Sequence, residues 1–234
     1  MVPRAPGKPF ARLHHTAYTQ PGNSGGALVD AKGELVGIAA SGGEDRFEAV
    51  PADQIEILKA ESSENHADVS AKIGGAYRLC RAALDKTSMM RGPVPDLLLS
   101  EMVSDCQESE NRQFMDLAGQ LLGRARKFDQ SIKLFGTSLA RDPNAVNTRL
   151  SLVATLHYAG RASEELPHIR WLLKVIPSEP LLLRYAVQAA KWNGDQALIK
   201  DVIELIETHD PRQLQAAKNF IERGPSSPPR GSFQ

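Results

Sequence analysis

Residues 21–40 read PGNSGGALVDAKGELVGIAA, a glycine-rich turn followed by two short apolar runs. The runs cover residues 27–29 and 35–40, and the polar segment 30–33 between them ends in glycine. Two apolar runs around a short polar segment are typical of a β-hairpin with a four-residue loop. Residues 47–51 predict a third strand, and the proline at residue 51 ends it. The sequence therefore predicts a small antiparallel sheet near the start of the chain.

After a polar stretch at residues 60–66, AESSENH, the apolar residues take on the spacing of helices instead. Residues 52–59 predict one short helix before that stretch. After it, apolar residues recur at spacings of three and four, which is the pattern of one helix face (Val69, Ile73, Tyr77, Cys80 and Leu84). A second helix is expected near residues 95–108, after the break at Gly92 and Pro93.

Prolines and glycines that are expected to interrupt helices recur at a fixed interval in the second half of the chain. Pro143, Pro177 and Pro211 are equally spaced, and Gly160 and Gly194 share that spacing. A 34-residue period of paired helices resembles the tetratricopeptide repeat. Asp142 and Asp210 precede two of these prolines and are predicted helix N-caps.

The residues of this repeat match the family less well than its period does. Gly119 and Phe135 stand at consensus positions of the first unit. The small residue expected in the second helix of each unit is replaced in turn by Ser131, Glu165 and Ile199. An irregular helical bundle without repeat ancestry is the alternative.

Composition excludes several classes of partner. Lys plus Arg is 28 and Asp plus Glu is 28, so there is no basic surplus for a nucleic acid. No apolar run is long enough to span a membrane. Cys80 and Cys106 fit no metal motif, and we expect no metal and no cofactor. The two cysteines would pair if their helices were antiparallel neighbours, but two buried free thiols are favoured.

The turn at residues 21–29, PGNSGGALV, is followed by GELVGI at residues 33–38 and by AVP at residues 49–51. Together these segments resemble the nucleophile region of trypsin-like serine peptidases, particularly the HtrA-like branch. The resemblance covers roughly residues 14–58. It implies that a serine is the nucleophile. A serine hydroxyl is a poor nucleophile until a neighbouring base takes its proton. It also implies backbone N–H donors in the glycine turn for the oxyanion.

The resemblance assigns roles to individual residues. Ser24 is the expected nucleophile, and the N–H groups of Gly22 and Ser24 form the oxyanion hole. Tyr18 is expected at the wall or base of the pocket for the residue before the scissile bond, which argues against basic substrates. The resemblance also implies that Ala40, Ser41 and Gly42 form the strand edge that pairs with a substrate peptide.

The chain departs from the family in its catalytic base. The family order is His, Asp, Ser, but only 23 residues precede Ser24 and none is an aspartate. His14 and His15 lie too close to the motif to inherit the role of a base from the other barrel. We therefore expect the chain to be the C-terminal part of a longer peptidase and to be inactive alone. A non-catalytic tetratricopeptide scaffold with a vestigial peptidase segment is the alternative.

The expected fold class is α+β, with a partial trypsin-like β-barrel segment followed by an all-α tetratricopeptide-like helical solenoid. The predicted parts are a barrel remnant at 1–59, a linker at 60–66, connecting helices at 67–108, repeats with a closing helix at 109–223, and a disordered tail at 224–234. Expected partners are a peptide or protein substrate and a protein bound by the repeats. The start of the chain lacks a signal-peptide pattern. An exported HtrA-like protein would be periplasmic.

Overall fold

The structure is a computed structural model that describes residues 4–8, 10–43, 46–60 and 66–228. It divides into two compact units. Unit 1 takes in Met1–Leu121 and Lys133–Thr148, and unit 2 takes in Leu122–Ile132 and Arg149–Gln234. Most of the predicted linker, residues 61–65, and the end of the predicted tail, residues 229–234, lie outside the described residues.

Unit 1 contains an antiparallel sheet of four strands in the described part of the chain. The strands are β1 (Leu13–His15), β2 (Ala27–Val29), β3 (Leu35–Gly43) and β4 (Arg46–Pro51). Their spatial order is β1-β4-β3-β2, so β1 and β2 are the two edge strands. The pairing of β3 with β4 shifts register between Ala39 and Ser41, which marks a β-bulge. The sequence had not predicted β1.

The predicted hairpin is confirmed, and its loop follows from local chemistry. The β2 and β3 strands are paired and connected by residues 30–34, one residue more than predicted. The Asp30 carboxylate accepts hydrogen bonds from the N–H groups of Lys32 (2.8 Å) and Glu34 (3.0 Å). Gly33 has φ +83°, a left-handed conformation that glycine adopts without a steric penalty. Aspartate and glycine therefore close the turn, as is common in hairpins.

Three helices follow the sheet in unit 1. They are α1 (Gln54–Ala60), α2 (His66–Ser88) and α3 (Asp96–Glu108). The prediction of two free thiols is wrong, because Cys80 of α2 and Cys106 of α3 form a disulfide. Their Cα atoms lie 4.7 Å apart, and both residues are fully buried. Close packing of the two helices brings the cysteines together, which sequence spacing alone does not specify.

Among the remaining helices, every second helix begins at the same interval along the chain. They are α4 (Arg112–Arg124), α5 (Phe128–Arg141), α6 (Val146–Tyr158), α7 (Ala162–Val175), α8 (Pro180–Trp192), α9 (Gln196–His209) and α10 (Leu214–Arg223). A 3₁₀ turn, Pro211–Gln213, precedes the last of them. The even-numbered helices start at residues 112, 146, 180 and 214, and α5, α7 and α9 start at 128, 162 and 196. Every step within each of these two series equals the period that the sequence predicts.

The turns inside three successive helix pairs share one conformation. Arg126, Gly160 and Gly194 are spaced by this same period and have φ values of +59°, +72° and +66°. After each of them, the next N–H reaches back five residues to the preceding helix, as from Arg161 to the carbonyl of Leu156 at 2.9 Å. This is the Schellman ending of a helix, for which glycine is the favoured residue. Arg126 occupies the same position without being glycine.

The predicted N-cap role of Asp142 is wrong, whereas Asp210 does stand at the N-cap position of the 3₁₀ turn. Helix α6 begins at Val146, four residues after Asp142, and the Asp142 carboxylate instead accepts hydrogen bonds from the N–H groups of Arg12 and Asn144, each at 3.2 Å. Asp210 precedes the 3₁₀ turn without a side-chain capping bond. Among the caps that the structure describes, Asp195 does cap α9 by accepting from the N–H of Leu198.

The described residues therefore form a mixed fold, a small antiparallel sheet together with ten α-helices, in agreement with the predicted α+β class. Gly119 and Phe135, the two consensus positions, face each other. A Cβ built on Gly119 would lie 2.7 Å from the Phe135 ring, so only glycine fits there without movement. In the described part of the chain, no helix has both the length and the apolar character required to cross a membrane.

Candidate functional site

The candidate nucleophile lies in an exposed turn that backbone hydrogen bonds hold in place. The Asn23 side chain accepts from the N–H of Gln20 at 2.6 Å, and Gly26 donates back to the Asn23 carbonyl at 2.9 Å. Gly25 N–H donates to the Ala39 carbonyl at 2.8 Å, which ties the turn to β3. Ser24 is thus fixed at the backbone while its side chain stays exposed.

Two backbone donors in this turn have no partner. Within the part of the chain that the structure describes, the N–H groups of Gly22 and Ser24 donate no hydrogen bond, whereas those of Asn23, Gly25 and Gly26 do. Gly22 has φ +99°, which glycine tolerates best. The free donors are the two that the resemblance assigns to the oxyanion hole.

Five of the six predicted site residues line one cleft of about 440 Å³. The lining combines Tyr18 and Ser24 with three residues of β3 (Ala40, Ser41 and Gly42). Tyr18 is 72% exposed and contacts Phe47 edge to face, with ring centroids 6.0 Å apart. Gly22 belongs to the same turn but is not among the lining residues.

One edge of β3 is open beside this cleft. The pairing of β2 with β3 ends at Ile38, although the turn still bonds to Ala39. From Ala40 to Gly43 the described residues provide β3 with a strand partner only on the β4 side. An unpaired strand edge can accept an extended peptide as an additional strand.

The described lining of the cleft contains no histidine and no carboxylate. His15 is buried on β1 and stacks on Phe47, with ring centroids 6.0 Å apart, and burial is the main cause of its lowered pKa. His14 is also buried and contacts Asp142, with Nε2 and Oδ2 3.0 Å apart. Neither histidine is a lining residue, so the structure describes no general base next to Ser24.

Unit 1 contains a buried ionic cluster that the sequence did not predict. We define the ionic cluster as His14, Glu48, Arg112, Asp116, Asp142 and Thr148. Arg112, the first residue of α4, pairs with Glu48 of β4 and with Asp116 at 3.1 Å. Thr148 donates to Asp116 at 2.6 Å and accepts from Arg112 at 3.1 Å. The ionic cluster therefore bonds the sheet to helices α4 and α6.

The members of the ionic cluster have different pKa shifts. Burial raises the pKa of Asp116 to about 6, against the opposing effect of Arg112. Burial also acts to raise the pKa of Asp142, but the hydrogen bond and charge of His14, with Arg112, hold it below its usual value. Burial acts to lower the pKa of Arg112, yet Glu48 and Asp116 raise it. Such shifts are common in structural ion-pair networks as well as in active sites.

A second buried pair lies in unit 2. Glu165 is fully buried at a position where the repeat family has a small residue, and its carboxylate contacts His157 Nδ1 at 3.1 Å. Burial raises the pKa of Glu165, and the hydrogen bond with His157 opposes this shift. His157 also stacks on Tyr185 and Trp192, with centroid distances of 4.4 and 4.9 Å. These aromatic side chains thus pack together inside the helical unit.

No protein-family model, curated protein or solved structure matches the chain. The resemblances to trypsin-like peptidases and to tetratricopeptide repeats stay predictions. The predicted domain boundaries stay predictions as well. Any functional assignment therefore depends on the residues and on their geometry.

Proposed function

We propose that residues 14–58 are the nucleophile-bearing part of a trypsin-like serine endopeptidase, and that the Ser24 cleft binds an extended peptide. One observation carries the proposal: Tyr18, Ser24 and the strand edge at residues 40–42 line the same cleft. The hydrogen bond from the Gly25 N–H to the Ala39 carbonyl holds the turn beside this strand. The open edge of β3 gives a peptide backbone a strand to pair with.

The free N–H groups of Gly22 and Ser24 support an oxyanion role. In acyl transfer by a serine peptidase, the hydroxyl attacks the peptide carbonyl, and backbone donors stabilise the resulting oxyanion. A histidine must take the hydroxyl proton, and a carboxylate must orient that histidine. Because the described lining of the cleft contains neither group, we propose that the isolated chain binds peptides without hydrolysing them.

We propose further that α4–α10 form tetratricopeptide-like repeats that bind a protein partner. The support is the constant interval of the helix starts and the shared conformation of Arg126, Gly160 and Gly194. Stacked helical repeats of this kind present extended surfaces for binding. In the complete enzyme, the repeats would recruit the substrate or a second subunit.

Binding of a hexapeptide of valine and alanine, amidated at its C-terminus and labelled at its N-terminus with an uncharged BODIPY dye, tests the cleft by fluorescence anisotropy. Ser24→Trp fills the cleft from an exposed position and should abolish binding without lowering stability. Lys32→Trp adds the same side chain to the exposed hairpin loop and should bind as the wild type does. Absence of binding, or equal binding by both variants, would contradict the proposed peptide site.

Mass spectrometry of the same peptide after incubation tests the absence of hydrolysis. We expect no cleavage by the wild type and no change on Ser24→Ala. Cleavage that Ser24→Ala removes would show that the chain contains its own base. The alternative function, a scaffold with a vestigial peptidase segment, predicts that the peptide does not bind and that Ser24 variants change no property of the protein.

A further inference from the structure

A second cleft of about 480 Å³ lies in unit 1 and shares Ala40 and Ser41 with the Ser24 cleft. Its lining includes the apolar side chains of Phe10, Val50 and Tyr77, together with several charged residues. Pockets of this size are typical of small-ligand sites, which combine apolar walls with a few placed polar groups. Phe10, Arg12, Val50 and Tyr77 belong neither to the lining of the Ser24 cleft nor to the ionic cluster.

The described lining of the second cleft contains three arginines and two glutamates. Arg112 pairs with Glu48, and Arg141 pairs with Glu110 at 3.1 Å. Both glutamates are therefore already bonded to arginine. The third arginine, Arg12, has no such glutamate partner, so the described lining residues carry an excess of one positive charge.

The Arg12 guanidinium is partly buried and donates no hydrogen bond within the described residues. The backbone N–H of Arg12 does donate, to the Asp142 carboxylate at 3.2 Å. Burial lowers the pKa of Arg12, and the nearby charges of Glu48 and Asp142 do not offset this effect. A guanidinium has five donors in a fixed planar fork, which fits a carboxylate in a bidentate geometry.

We propose that the second cleft binds a carboxylate joined to an apolar group, with Arg12 as the partner of the carboxylate. The apolar group would pack against Phe10, Val50 and Tyr77. A monoanion fits better than a dianion such as phosphate, because Glu48 and Glu110 share the cleft and the excess charge is one. The ligand is either the C-terminal residue of a peptide or a free organic acid. This site does not depend on the proposed peptidase function.

Isothermal titration calorimetry with three probes tests the proposal. The probes are N-acetyl-alanylphenylalanine, the C-terminal amide of the same dipeptide, and 3-phenylpropionate. We expect the dipeptide acid to bind about tenfold more tightly than its amide, because the amide cannot form the charge-assisted hydrogen bonds between a carboxylate and Arg12. Binding of 3-phenylpropionate as tightly as the dipeptide acid would identify a free organic acid as sufficient, and weaker binding would identify a peptide terminus.

Two variants assign the effect to Arg12. Arg12→Gln removes the charge while leaving the backbone bond to Asp142, and it should reduce the affinity for the acid to that of the amide. Arg124→Gln makes the same change at an exposed residue of α4 and should bind as the wild type does. Thermal unfolding of both variants checks that the fold is retained.

Three results would overturn the proposal. One is equal affinity of the wild type for the dipeptide acid and its amide. Another is an unchanged affinity for the acid in Arg12→Gln, and the third is no binding of any probe at millimolar concentration. The Ser24→Trp variant should bind the acid normally, so the failure of one site is distinguishable from the failure of the other.

Discussion

The two compact units are stabilised in different ways. Unit 1 depends on contacts that occur once and join residues far apart in the chain, such as Arg112 with Glu48 and His14 with Asp142. Unit 2 repeats one turn at a constant interval, at Arg126, Gly160 and Gly194. A single substitution in unit 1 therefore removes several unique interactions. A substitution in one turn of unit 2 leaves the other two turns unchanged. We therefore expect it to have a smaller effect on the free energy of unfolding.

The largest expected effect follows from removing Arg112. Arg112→Ala leaves Glu48 and Asp116 buried without their counter-charge, which should reduce the free energy of unfolding by about 3–5 kcal/mol. Urea denaturation followed by circular dichroism measures this change. Arg112→Lys keeps the charge without the planar fork and should lie between wild type and Arg112→Ala, which covers the case that the alanine variant does not fold.

Arg81→Ala is the matched control for Arg112→Ala. Arg81 and Asp85 form an exposed pair on α2 with an N–O distance of 3.9 Å. Exposed pairs of this kind contribute about 0–1 kcal/mol. Equal effects of the Arg112 and Arg81 substitutions would show that the ionic cluster is not the main support of unit 1.

The hairpin and the helices were predictable because their signals are local. Asp30 and Gly33 close the β2–β3 turn within five residues, and the helix pairs carry their period in the sequence itself. Tyr18, Ser24 and residues 40–42, which the resemblance names, line one cleft, and their roles stay predictions. Short-range chemistry was sufficient for each of these features.

The contacts between distant segments were not predictable. Arg112 and Glu48 are 64 residues apart, and no pattern distinguishes Arg112 from the exposed arginines near it. The disulfide likewise depends on how α2 packs against α3. Asp142 looked like a helix cap because it precedes a proline, but tertiary contacts with Arg12 and His14 determine its role instead.

An intermediate effect is expected in the pH dependence of unit 1. Asp116 has a pKa of about 6 in the folded state, above the ordinary value of 3.8. The folded state therefore holds this proton more tightly, and the stability that results is present at low pH and lost as the pH rises through about 6. Between pH 4 and pH 7.5, the free energy of unfolding of the wild type should fall by about 2–3 kcal/mol relative to that of Asp116→Asn. Urea denaturation across this range measures the difference.

Glu164→Gln is the control for this pH dependence. The hydrogen bond and charge of Arg161 lower the pKa of the exposed Glu164, so its carboxyl is ionised in both folded and unfolded chains above about pH 5.5. Because Arg161 keeps its charge over this range, the stability difference between wild type and Glu164→Gln should be constant from about pH 5.5 to pH 7.5. A constant difference for Asp116→Asn as well would contradict the raised pKa of Asp116.

The smallest expected effect concerns the turn at Arg126 in unit 2. Arg126 has φ +59° at a position where the two later turns use glycine, and a non-glycine residue is strained there. Arg126→Gly should therefore increase the free energy of unfolding by about 0.5–1 kcal/mol, since relief of strain exceeds the added chain entropy. Gly160→Ala should decrease it by about 1 kcal/mol for the same reason. Urea denaturation resolves both changes.

Arg124→Gly separates this turn effect from a general effect of glycine. Arg124 is the last residue of α4 and, like Arg126, is exposed. Glycine is less favourable in a helix than arginine is, so Arg124→Gly should lower the free energy of unfolding by up to about 1 kcal/mol. Arg126→Gly should raise it. Opposite signs for the same substitution two residues apart would tie the gain to the left-handed position. A loss in both variants would mean that Arg126 stabilises its turn through its side chain, and the three turns of unit 2 would then not be equivalent.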